Sequence, residues 1–93
     1  MMKYDMAIVV LTNRFVYVGE VELFDKKELG TWVRLTAARN IRVWGTDKGL
    51  GQLAGGPTTK TVLDVAGTVW APLLAVIHII ECDAAKWKAK RPV

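Results

Sequence analysis

Ahead of Asp83 the chain offers only one short stretch of helical character, Leu50–Ala54; its other patterned runs are β-branched or alternating and end at turn residues. Such a chain has to build its core from short strands, which restricts it to mainly β architectures. Met6–Leu11 reads as a first strand, apolar on both faces and therefore covered on both, with Thr12-Asn13-Arg14 as its turn. Phe15–Phe24 alternates, with Phe15, Tyr17, Val21 and Leu23 on the inward side. Gly19 interrupts that side and marks a bend, a bulge or a close backbone approach. After the charged connection Asp25–Gly30, Thr31–Thr36 turns Val33 and Leu35 inward and Trp32 and Arg34 outward. Past the joint Ala37-Ala38, Ile41 and Val43 point in while Arg42 and Trp44 point out.

Thr61–Ala66 predicts a further short strand and Gly67-Thr68 a turn. Val69–Cys82 then forms a last strand with no polar face after Pro72. Asp83 is placed to cap a helix running to Arg91, which Pro92 ends. The expected fold is mainly β with an α+β element: a small, strongly bent antiparallel sheet or Sm-like open barrel, with a short helical insertion and a C-terminal helix.

The 93 residues suit a single domain, 1–93, in which burial is only modestly sufficient. A hydrophobic fraction of 52% then implies either unusually complete burial or apolar surface shared with a partner. Val69–Ile80 is the stretch whose two apolar faces a small protomer cannot cover alone. This predicts a homo-oligomer, a dimer or a dimer of dimers, formed through the 69–82 strand.

A net charge of +4 favours anionic partners. The single Cys82 excludes an internal disulfide and any Cys/His ligand set, and points to a reducing, cytoplasmic setting. His78, alone in an apolar run, reads as a half-buried strand histidine. Neither a secretory h-region nor a membrane-length apolar run is expected, so no membrane partner is implied.

The functional candidates gather around Ala37–Pro57, where five of the eight glycines fall between Gly45 and Gly56 and let backbone approach a ligand closely. Arg39, Arg42 and Lys48 supply positive charge, joined by Lys60 beyond the loop and Arg34 before it. Trp44 offers a stacking plane, as do Tyr17 and Trp32. Thr46 and Gln52 provide neutral hydrogen-bonding groups. This is an inventory for phosphate and base. Asp47 and Asp64 lack a nucleophile or a metal-ligating companion, so the expectation is a binding protein and not an enzyme, with no cofactor and no metal.

Tyr17-Val18-Gly19-Glu20-Val21 followed by Val33–Ala38 resembles the first part of Sm-like barrels. More of the chain resembles a family of short phage-encoded β-rich proteins. The likeness lies in the Phe15–Gly19 strand, the Leu35–Trp44 strand, the Gly45–Gly56 segment and the run Val76-Ile77-His78-Ile79-Ile80-Glu81-Cys82. This resemblance implies a phage anti-defence sponge of the CBASS or Thoeris kind, acting in the host cytoplasm. Such a sponge holds a cyclic nucleotide messenger without cleaving it, with Trp44, Tyr17 or Trp32 stacking the base and Arg and Lys holding the phosphates. An Sm-like barrel binding single-stranded nucleic acid, or a virion or protein-interaction subunit, are the alternatives. Trp44 is either a stacking platform or a plug under the glycine loop.

Overall fold

A computed structural model describes residues 2–89. Five strands form: β1 (Lys3–Leu11), β2 (Val16–Asp25), β3 (Thr31–Val43), β4 (Val62–Pro72) and β5 (Val76–Glu81), followed by the helix α1 (Ala84–Ala89). Short 3-10 turns lie at Lys27–Leu29, Leu50–Gly55 and Leu73–Ala75. The β1–β2 turn closes where Asn13 Oδ1 accepts the Phe15 N–H at 3.2 Å. At the β2–β3 turn, Asp25 Oδ1 accepts the Lys27 N–H at 2.8 Å, the local bonding that makes Asn and Asp favoured turn residues.

The strands join in one antiparallel sheet of order β4-β3-β2-β1-β5. The expected strongly bent sheet or Sm-like open barrel is corrected by this topology. β4 and β5 are two separate edges with no ladder between them, because β5, only six residues long, pairs with β1 alone. The sheet is therefore open.

Both faces of β1 are buried, as its unbroken β-branched run predicts. Ala7, Val9 and Leu11 point to one face, where Val21, Val33, Leu35, Ala38 and Ala71 join them in a cluster drawn from strands alone. Met6 and Ile8 point to the other face and meet Val16, Val18 and Ile41 beneath Leu53 and Trp87. Trp87 is fully buried, and its indole Nε1 donates to the Leu53 carbonyl at 2.8 Å. That bond satisfies the one polar group a buried tryptophan carries and fastens α1 to the Leu50–Gly55 turn. Asp83 caps α1, with Oδ1 accepting the N–H groups of Ala85 and Lys86 at 3.1 and 3.3 Å.

A bulge in β3 sets the chemistry of the faces. Ala37 has φ 52, and the β3–β4 register shifts between Leu35 and Ala38. Val33, Leu35 and Ala38 consequently share the strand-only cluster, whereas Ile41 joins the face covered by Trp87. Outward residues before and after the bulge thus lie on opposite faces of the sheet. Gly19 of β2 sits against this point: a Cβ there would lie 3.0 Å from the Thr36 carbonyl oxygen and 3.2 Å from the Ala38 Cα.

Other expectations are corrected as well. Gly67, with φ 74, lies inside β4 opposite the β3 bulge and does not turn the chain. Val69–Cys82 is not one strand: its beginning ends the β4 edge, Leu73–Ala75 turns, and β5 forms the other edge. Phe15 and Val43, expected inward, are 52% and 46% exposed because they lie just outside β2 and at the last position of β3. The residues expected to end the helix, Arg91 and Pro92, lie outside the described residues.

Candidate binding face

β2, β3 and β4 are neighbours, and their register places Phe24 across from Trp32, Glu22 across from Arg34, and Arg34 across from Trp70. Successive side chains alternate between faces, so these five share the face opposite the strand-only cluster. The Phe24 and Trp70 rings meet at 5.3 Å with planes inclined by 47°. Two cations hold this ring pair. Lys26 Nζ lies 4.7 Å from the Trp70 centroid and 5.7 Å from Phe24, and the Arg34 guanidinium carbon lies 4.7 Å from Phe24 and 5.7 Å from Trp70. Arg34 Nη2 donates to Glu22 Oε1 at 3.0 Å, while its Nε is buried and makes no hydrogen bond. Trp70 remains 42% exposed.

A trough continues from this cluster along the same face. Its nearer cavity, about 160 Å³, is lined by Lys3, Glu20, Val21, Glu22, Arg34 and Thr36. The farther one, about 220 Å³, is lined by Met6, Glu20, Thr36, Ala37, Arg39 and Lys88. Glu20 and Thr36 border both. Arg39 is the one charged residue buried among the described residues, at 7% exposure.

The residues singled out in the sequence separate into three groups. Trp32, Arg34 and Arg39 belong to this face; Trp32 Nε1 donates to the Leu29 carbonyl at 3.1 Å. Tyr17 is half-buried against the strand-only cluster. Arg42, Trp44, Thr46, Lys48, Gln52 and Lys60 lie at the far end of β3 and in the long β3–β4 connection, beyond the bulge. Arg42 is engaged by Asp64, with Nε to Oδ2 at 2.8 Å and Nη2 to Oδ1 at 3.3 Å. Gln52 Oε1 accepts the N–H groups of Asp47 and Lys48 at 3.1 and 2.9 Å. Thr58 Oγ1 donates to the Gly45 carbonyl at 2.6 Å, and Thr61 Oγ1 to the Trp44 carbonyl at 2.7 Å. Gln52 Oε1 and the Gly45 and Trp44 carbonyls are thus used in closing the glycine segment on itself. Trp44 is 43% exposed, and the buried plug under the loop is Trp87.

Phe24 and Lys26, at and just past the end of β2, have no sequence signal that links them to Trp70 of β4; only strand register across β3 unites them. Cys82 is half-buried beside Trp87, and burial pushes its thiol up to about 11. Among the described residues no group of three or more His, Cys, Asp and Glu is arranged to hold a metal ion, and no helix is long and apolar enough to cross a membrane.

No protein-family model, curated protein or solved structure matches the chain. The expected kinship with phage anti-defence proteins, and the cyclic-nucleotide sponge of the CBASS or Thoeris kind that it implied, are thereby left without support. The description is corrected to an open β-sheet protein with a mixed aromatic and basic face.

Proposed function

We propose that this protein binds a nucleotide on the Phe24–Trp70 face and holds it without converting it. The observation that carries this reading is the ring pair of exposed Trp70 and half-buried Phe24 gripped by Lys26 and Arg34: a planar base stacks on Trp70 while the cations meet negative charge beside it. The basic groups are interleaved with Glu20 and Glu22, which suits a compact ligand and opposes a long polyanion tracking across the sheet. Titration of the protein with nucleoside monophosphates, read by tryptophan fluorescence and calorimetry, should show saturable binding. Trp70→Ala should remove it while leaving the melting temperature within a few degrees of wild type, because the ring is partly exposed. Absence of saturable binding to all four common nucleotides would sink the reading.

Self-association is a second proposal, favoured by the exposed apolar residues of the two sheet edges and their connection. Val65 is 89% exposed, Leu74 97% and Ile77 56%. Unpaired edges flanked by apolar side chains are templates for pairing with another copy. Light scattering at tens of micromolar should report a dimer or a dimer of dimers, and a strictly monomeric protein would overturn it.

A further inference from the structure

The trough beside the ring pair has two cavities of unlike charge. In the nearer, Lys3 and Arg34 face Glu20 and Glu22, so cations and carboxylates balance. In the farther, Arg39 and Lys88 face Glu20 alone, so positive charge is in excess. Each is smaller than the pocket of a whole drug-sized ligand and accommodates one part of a molecule. They follow one another along β3 in the order Arg34, Thr36, Arg39. At about 3.3 Å of strand per residue, Thr36, the donor that borders both cavities, stands ~7 Å from Arg34, and Arg39 lies three residues further on.

We infer that this trough is the sugar–phosphate subsite of the stacking face, and that the ligand is a ribonucleoside 5′-phosphate. The inference rests on the nucleotide-binding reading and assigns its parts. The base lies on Trp70 and Phe24. The sugar fills the balanced cavity, where the carboxylates of Glu20 and Glu22 accept its hydroxyl protons. The phosphate fills the positive cavity, where Lys88, the Thr36 hydroxyl and the Arg39 guanidinium donate to it. Arg39 carries five N–H donors in a fixed fork, enough to serve the fold and a ligand together.

Calorimetry on the full chain with adenosine, adenosine 5′-monophosphate and its 2′-deoxy analogue tests each assignment. The 5′-monophosphate should bind at least about tenfold more tightly than adenosine, the scale of one charge-assisted hydrogen bond. Lys88→Ala and Thr36→Val change exposed side chains, so both should preserve folding while reducing the advantage of the phosphate, and Lys88→Ala, at a residue that lines the positive cavity alone, should leave adenosine binding unchanged. The 2′-deoxy compound should bind several-fold more weakly than the ribonucleotide, and Glu20→Gln should narrow that gap. Equal affinity for adenosine and its monophosphate in the wild-type protein overturns the subsite while leaving base stacking intact. Retention of the full phosphate advantage in both the Lys88 and Thr36 variants also overturns it. Failure of all three compounds to bind, together with the monophosphates of the other three nucleosides, overturns the nucleotide reading itself.

Discussion

Trp87 and Trp44 show how differently one residue type is used by this chain. Trp87 is fully buried with its indole N–H bonded to the Leu53 carbonyl, so truncation leaves both a cavity and an unsatisfied acceptor. Trp87→Ala should cost about 3–5 kcal/mol in urea denaturation, whereas Trp44→Ala, at a 43% exposed site, should cost less than about 1 kcal/mol. Cys82 gives a test in pH. Burial raises its thiol from an ordinary value of 9.0 to about 11, so between those values the unfolded chain loses this proton while the folded chain keeps it. The unfolded state then binds fewer protons, and stability falls as pH rises through that window; below pH 9 the thiol contributes no slope. Melting curves should decline more steeply above pH 9 for wild type than for Cys82→Ala.

At the scale of elements, the β3 bulge decides which side chains share a face. Ala37 takes a left-handed φ of 52, and Gly19 lets the neighbouring strand approach there without a side chain. Gly19→Ala forces its methyl against the Thr36 carbonyl oxygen at 3.0 Å and the Ala38 Cα at 3.2 Å, both backbone atoms. It should destabilise the protein by about 1–3 kcal/mol, read as a lower urea midpoint with an unchanged slope. This bulge separates residues that alternation alone would place on one face. Strict alternation through Trp32, Arg34, Arg42 and Trp44 describes one decorated face, but an extra residue at Ala37 reverses the phase and parts Arg34 from Arg42. Gly45 marks a second close approach: with φ 66, and with a Cβ that would collide with the Lys60 backbone, it permits the β3–β4 connection to close on itself. Its glycine was legible as special. That its closeness is to the Lys60 backbone was not.

For the molecule as a whole, the open edges are the feature that assembly should read. Leu74→Glu and Ile77→Lys place charge at exposed sites along the edge region, so both variants should fold and shift light scattering towards the monomer. Local chemistry alone determined the strand-forming runs, the Asn13 and Asp25 turns, the Asp83 cap and the apolar character of both faces of β1. In each of these the cause lies within a few residues of its effect. Tertiary structure alone decided that Val69 and Val76 belong to opposite edges, that Trp87 seals the second core against Leu53, and that Phe24, Lys26, Arg34 and Trp70 converge. Those outcomes depend on strand order and register, which are set by the packing of the whole sheet; one extra residue in a strand exchanges its faces, and no local pattern carries that information.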